Sequence, residues 1–206
     1  TRGDVECPHS GVVMESEAVK PKFREDDFDY DVNAVKYSGP RGGSGYRAGT
    51  KIDTEAIEKA QERIDSDFEL MTFLTTEIPE GQETDRLFNW GITEWRDIFT
   101  PRQLLAHYEY LQAFKKYSNE IHEEHDKNTA EAILTILSIS ASKFLNYNSR
   151  LTSWHTGRGY PDHIFKTNNF AFCRIYTDNK PSTDGLGYND ASRKVIDCYE
   201  ELVEMA

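Results

Sequence analysis

Cysteine is scarce in this chain, with Cys7, Cys173 and Cys198 an odd and widely spaced set in 206 residues. A disulfide-stapled secreted scaffold is excluded by that count. Long hydrophobic runs are missing too. The most apolar stretch, AILTILSISA (Ala132–Ala141), is about half of what a membrane-spanning helix needs. No basic-then-apolar leader follows Thr1, which points away from export, and a Thr at that position fits a processed chain or a piece of a longer protein. The expected compartment is cytoplasmic, with no membrane partner. Positive charge is in deficit as well: 24 Lys and Arg against 36 Asp and Glu leave a net charge of −12. A module living on phosphate backbones is expected to show a basic face, because phosphate neutralisation supplies most non-specific affinity. DNA binding here therefore needs a local basic cluster, or an acidity that reflects a salt-rich cytoplasm.

What is present is enough for one domain with a real core, or a core plus an appendage. Hydrophobic residues make up 37% and charged ones 29%, polar but too aromatic for a disordered chain. Residues 1–50 read as short strands and turns. VVMESEAV (Val12–Val19) and FDYDVNAVKY (Phe28–Tyr37) are β-prone, and SGPRGGSGYRAG (Ser38–Gly49) reads as a loop. From Asp53, a plausible cap, the period turns helical through Ile57, Ala60, Ile64, Phe68 and Met71, and the helix is expected to fade near Thr75–Thr76. In TPRQ (Thr100–Gln103), Thr100 caps, Pro101 takes the first helical position and Gln103 completes a capping box. Leu104, Leu105, Tyr108, Leu111 and Phe114 follow as a core stripe. A second box at NTAE (Asn128–Glu131) opens a helix with apolar residues on two sides, predicted to be central and buried. A last amphipathic helix spans Asn189–Ala206 with Val195, Cys198, Tyr199 and Leu202 in its stripe. The expected architecture is mainly α: a β-rich lead-in over 1–50 and a helical domain over 51–206, an α+β arrangement.

Five places carry residues suited to chemistry, each with a plain structural alternative. CPHSG (Cys7–Gly11) looks like half a zinc knuckle, but Ser10 stands where a second Cys belongs. Cys7 and His9 alone hold metal poorly, and an ordinary turn is the simpler reading. GGSGYRAG (Gly42–Gly49) follows a candidate strand, where a loop cradling a cofactor would sit, or is only a turn. The His residues of EIHEEHD (Glu120–Asp126) fit a solvated helix end better than a metal site. In WGITEWRDIFTPRQ (Trp90–Gln103), Arg96 and Arg102 can contact phosphate, while in the stronger reading Trp90, Trp95, Ile98 and Phe99 staple the start of the helix to the core, and both can hold together. Finally, LNYNSRLTSWH (Leu145–His155) holds Asn146, Asn148, Arg150 and Trp154. Asn suits an adenine edge, Arg a guanine or phosphate, and Trp a stacked base. The same asparagines can instead terminate the helix, with Trp154 in the core. Both readings stand on residue chemistry alone.

WGITEWRDIFTPRQLL followed by a long helix ending in NYNSRLTSWH resembles a segment of a family of adenine-specific DNA methylases. These are large proteins with a zinc-ribbon-like insertion. CPHSG, as a degenerate ribbon remnant, GYRAGT with the helix behind it, and the DNKP turn (Asp178–Pro181) fall in the same order. The resemblance implies transfer of a methyl group from S-adenosylmethionine to an exocyclic amine by the full-length protein. The catalytic signature, Asn- or Asp-Pro-Pro-Tyr, has no counterpart here, since the chain contains no Pro-Pro pair. The resemblance therefore implies a non-catalytic helical region, inactive alone, that contacts DNA or scaffolds the remaining methylase domains. On that reading Arg96, Arg102, Asn146, Asn148, Arg150 and Trp154 contact DNA, with Arg41 and Arg47 as outlying candidates, and no cofactor is bound by this chain alone. Base-modifying enzymes must extrude their target, which suits amide and aromatic side chains. The alternatives are a protein-interaction module of a restriction or defence complex, favoured by the net charge, and a methyltransferase with its own S-adenosylmethionine site.

Overall fold

The computed structural model describes residues 4–7, 10–25, 28–40, 42–166, 170, 172–173, 175–182 and 186–205. Seven α-helices and three two-stranded antiparallel sheets occur among them, so the chain is mainly α with small β segments. It divides between Asp97 and Ile98 into two compact units, and the boundary expected near residue 50 falls inside the first. No helix of the described residues is long and apolar enough to cross a membrane.

The first unit opens with strands β1 (Val5–Glu6) and β2 (Val13–Met14), paired antiparallel. Between them the Cys7 and Val12 backbones close a turn, with Cys7 N–H donating to Val12 O at 2.9 Å. The strand expected over Val12–Val19 stops early: helix α1 (Ser16–Arg24) takes over, because Glu17, Ala18 and Lys20 favour a helix over a pleat. The stretch expected as a loop over Ser38–Gly49 contains a strand. β3 (Ala34–Ser38) and β4 (Ser44–Ala48) form a hairpin in which Tyr37 faces Gly45. A methyl group built on Gly45 would lie 2.6 Å from the Tyr37 ring, so the glycine makes room for the aromatic side chain opposite.

Helix α2 (Lys51–Asp65) starts three residues earlier than expected. Thr50 is its cap and Asp53 is the third helical residue, whose carboxylate accepts from the Thr50 N–H at 2.9 Å. The helix also ends sooner, at Ser66, since Asp67 caps a separate turn, α3 (Phe68–Met71), by accepting from Glu69 and Leu70 N–H. Phe68 consequently lies outside the stripe its spacing predicted and is exposed. The core of this unit is Val19, Ala60, Ile64, Leu70, Ile78, Leu87 and Ile92. Gly91, after α4 (Asp85–Phe88), sits at φ +73°, and an added Cβ would be 2.5 Å from Phe23 O.

The second unit holds α5 (Pro101–Glu124), α6 (Lys127–Leu145) and α7 (Tyr188–Glu204), with a two-residue pair, β5 (Trp154–His155) and β6 (Tyr160–Pro161), between α6 and α7. The TPRQ box forms as expected: Gln103 N–H donates to Thr100 Oγ1 at 3.2 Å and Thr100 N–H to Gln103 Oε1 at 2.9 Å. Phe99, just outside the cap, lies 4.9 Å from the His107 ring. The NTAE box does not form. Asp126 caps α6 instead, its carboxylate accepting from Asn128 and Thr129 N–H, because an aspartate at that place satisfies two orphan donors at once. Nor is α6 buried on two sides: Ala130, Ser140 and Phe144 are its buried residues, and Ile139 is half exposed. The stripe expected on α7 is also largely uncovered beyond its first turns, with Cys198, Tyr199 and Leu202 exposed.

Thr100→Ala removes one member of a buried, reciprocal box, and is expected to lower stability by about 1–2 kcal/mol. Urea denaturation followed by helical circular dichroism measures it, and the change should appear in the midpoint rather than in the slope.

Candidate functional site

Helix α6 does not simply stop at Leu145; its last carbonyls are drawn into a tightening turn. Asn146 N–H donates to Ser142 O, Tyr147 N–H to Phe144 O at 3.0 Å, and Asn148 N–H to Leu145 O at 3.1 Å. This turns Asn148 inward, where its residue is 0% exposed. Its Oδ1 accepts from Asn179 N–H at 2.9 Å and from Gln103 Nε2 at 3.4 Å. The amide orientation follows from chemistry, because a backbone N–H can only donate and so must meet the oxygen. Gln103 Nε2 donates as well to Thr177 O at 2.9 Å, and Asn179 Nδ2 to Tyr147 O at 2.7 Å. One amide thus joins the first turn of α5, the end of α6 and the segment Thr177–Asn179.

The Asn148 backbone carbonyl closes a second arm. His107 Nε2 lies 3.2 Å from Asn148 O, and Nδ1 lies 2.9 Å from the Tyr188 hydroxyl. A carbonyl only accepts, so Nε2 carries the proton, Nδ1 accepts, and Tyr188 donates. The imidazole is enclosed by Phe99, Phe144 at 5.3 Å and Tyr188, while Tyr110 stacks on Tyr188 at 4.1 Å. Burial pulls the His107 pKa down to about 4, against a weaker opposing contribution from the bond to Asn148 O. Burial, with Tyr110 adding to it, pushes the Tyr188 hydroxyl well above its ordinary value. Both groups are held neutral, which suits structure rather than proton transfer near pH 7.

The residues expected to touch DNA are mostly committed elsewhere. Arg150 is 5% exposed, with its guanidinium 4.9 Å from the Phe172 ring centre and its N–H donating to Ile98 O at 2.7 Å. Asn146 Oδ1 accepts from Ile164 N–H at 3.0 Å. Arg102 faces Asp178 at 3.4 Å, and burial raises the Asp178 carboxyl pKa while Arg102 opposes the rise. Trp154 is half-buried on β5. In the first unit Arg96 donates to Met71 O, and Arg47 grips Asp53 with both guanidinium nitrogens, at 2.6 and 2.8 Å. Those hydrogen bonds, led by Arg47, hold the Asp53 carboxyl far below the usual carboxylate range. Arg41 and His9 lie outside the described residues. Cys7 is half-buried, and no group of three metal-ligating side chains gathers among the described residues.

GGSGYRAG forms one side of the β3–β4 hairpin. Cofactor-cradling loops lie between a parallel strand and the helix that follows it, and the antiparallel pairing here does not provide that arrangement. Near the start of α7 a small cavity, of about 30 Å³ open to water, is lined by Lys143, Phe144, Tyr147, Asp190 and Lys194 among others. A single water fits such a space. The arrangement around Asn148 and His107 organises the fold of this unit.

Residue spacing missed His107, Tyr188 and Thr177 altogether. His107 follows Leu104 by three positions on the core side of α5, and that placement was the available signal.

Asn148→Ala leaves the Asn179 N–H and a Gln103 amide donor without their acceptor in a dry setting, and is expected to cost about 2–4 kcal/mol in chemical denaturation. The histidine supplies a pH test. Its folded pKa, about 4, lies below the unfolded value of 6.5, so the unfolded chain takes up the proton first. The stabilisation is complete above pH 6.5 and falls away as pH drops towards 4, by on the order of 3 kcal/mol. Asp178, with its raised pKa, acts in the opposite sense. The difference between wild type and His107→Gln across pH 4–7 therefore isolates the histidine, and the variant's curve should be flatter.

Compared with known proteins, the chain matches no protein-family model, no curated sequence and no solved structure.

Proposed function

We propose that this chain is a non-catalytic helical region of an S-adenosylmethionine-dependent, adenine-specific DNA methyltransferase, and that it serves chiefly as a scaffold for the remaining domains. One observation carries the scaffolding part. Asn148 and Arg150, the side chains best suited to reading or gripping a nucleic acid, are 0% and 5% exposed; the Asn148 oxygen ties α5 and the Thr177–Asn179 segment to the end of α6, and the Arg150 guanidinium lies over the Phe172 ring. The methyltransferase part rests on the resemblance of WGITEWRDIFTPRQLL and NYNSRLTSWH, in that order, to the methylase family. S-adenosylmethionine and DNA are then bound mainly by the rest of the enzyme. Interaction within a restriction or defence complex is the second reading, favoured by the net charge of −12.

Duplex DNA binding by this chain is measured by fluorescence anisotropy over a salt series, after circular dichroism confirms folding at each salt. Scaffolding predicts affinity no tighter than the ordinary non-specific range, ~10⁻⁴ M or weaker near physiological salt, and little change in Arg102→Ala. Tight binding that weakens steeply with salt and is lost in Arg102→Ala would replace scaffolding by DNA contact. Calorimetric titration with S-adenosylmethionine should show no uptake; tight uptake would favour an enzyme with its own cofactor site.

A further inference from the structure

Helix α7 begins inside the second unit and ends outside its core. Asp190 and Ala191 are its buried residues, whereas Ile196, Tyr199, Leu202, Val203 and Met205 are between 44% and 75% exposed. Ile196, Tyr199 and Val203 recur at i, i+3 and i+7, and Leu202 widens the stripe on one side. It runs about 10 Å along the helix at 1.5 Å per residue. An apolar row of this kind, continued over two turns, is more than the scattered exposed side chains normal on a protein surface.

The charges beside the stripe say what covers it. Asp197, Glu200, Glu201 and Glu204 occupy the rest of that helical stretch, and none makes an ion pair among the described residues. The nearest cations on the helix are already engaged: Arg193 Nη2 and Lys194 Nζ meet the buried Asp190 carboxylate at 2.8 and 2.6 Å. An apolar strip bordered by uncompensated carboxylates disfavours a second copy of itself, because like charges would face each other across the joint. An anionic lipid surface is repelled for the same reason. The fitting occupant buries an apolar edge and carries Lys or Arg along both sides of it.

We infer that the C-terminal half of α7, from Ile196 to Glu204, is a docking surface for a basic amphipathic helix of a protein partner. Leu202 and Tyr199 are its central apolar anchors, and Glu200, Glu201 and Glu204 select for basic flanks. This goes beyond the scaffolding proposal and does not depend on the methylase resemblance, since it names a surface remote in sequence from the Asn148 junction.

The probe is a fluorescein-labelled amphipathic peptide of about 18 residues, long enough to be helical, with Leu along one face and Lys on the flanks. A copy with Glu in place of Lys and a scrambled copy of the Lys peptide serve as controls. Anisotropy with the whole chain should show binding of the Lys peptide that weakens with salt, and weaker binding of both controls. Leu202→Ser should reduce affinity at least about tenfold, with Tyr199→Ser as a second variant, and circular dichroism melting should be unchanged because both side chains are exposed. The double variant Glu200→Lys/Glu204→Lys should reverse the preference in favour of the Glu peptide. Equal binding of the scrambled peptide would reduce the effect to general attraction by an acidic protein and overturn the inference. So would absence of binding, indifference to Leu202→Ser, or a dimer seen by light scattering that Leu202→Ser dissolves.

Discussion

The second unit is organised by the hydrogen bonds that converge on one asparagine. Asn148 offers two oxygens to the interior, and each receives a donor that has no water to turn to: Asn179 N–H and Gln103 Nε2 on the side-chain oxygen, His107 Nε2 on the backbone one. A buried donor left unmade costs more than a made bond contributes, so α5 and the segment at Asn179, which supply these donors, are held in one arrangement on the end of α6. Gln103 extends the constraint, because the residue that completes the capping box of α5 also reaches Thr177 O. Helix start, helix end and a stretch without regular structure are thereby fixed by the same few amides. Thr152 adds a further tie at the edge, its hydroxyl 3.1 Å from that of Thr177.

Beside that polar junction lies an aromatic wall that encloses the His107 ring. Phe99, Phe144 and Tyr188 surround His107, and Tyr110 backs Tyr188 while its own hydroxyl donates to Leu137 O at 2.8 Å. The wall has two consequences that pull against each other. It strengthens every hydrogen bond it encloses, because the local dielectric is low. It also forbids charge, so the imidazole remains neutral and the tyrosine hydroxyl protonated. A histidine so placed supplies one donor and one acceptor in fixed directions, which is what joins Tyr188 at the start of α7 to Asn148 beyond the end of α6.

How much of this was legible in the sequence follows from how far each signal reaches along the chain. The TPRQ box spans four residues and depends on nothing outside them, and it formed as read. Competition between neighbouring caps was harder. Asn128 and Asp126 both stand before the apolar run of α6, and the charged side chain two residues earlier took the cap. In the same way Thr50 took the cap of α2 from Asp53, which was drawn into a bidentate pair with Arg47. Glycine density concealed the β4 strand, because its pairing with β3 is decided by Tyr37 on the other side of the turn. For LNYNSRLTSWH, residue chemistry left nucleic-acid contact and helix termination equally open. The partners that occupy Asn148 are Gln103, 45 positions earlier, and Asn179, 31 positions later. No local pattern carries that information.

In the second unit, Asn148 and Arg150 of the most conspicuous motif are turned inward. Amides and guanidinium groups are costly to bury, and once their partners are internal they have few bonds left for a ligand. Recognition then falls to side chains the fold leaves uncovered. On α7 these are apolar and acidic together, while the basic residues at its beginning are bound to Asp190. Moving Asp190 to the surface would free Arg193 and Lys194 and blur the contrast between the two ends of the helix. Its burial, with 4% of its side chain exposed, keeps the cations at the fold and the carboxylates beyond it. The internal ion pairs therefore do more than anchor α7; they set the sign of the charge that its C-terminal half presents.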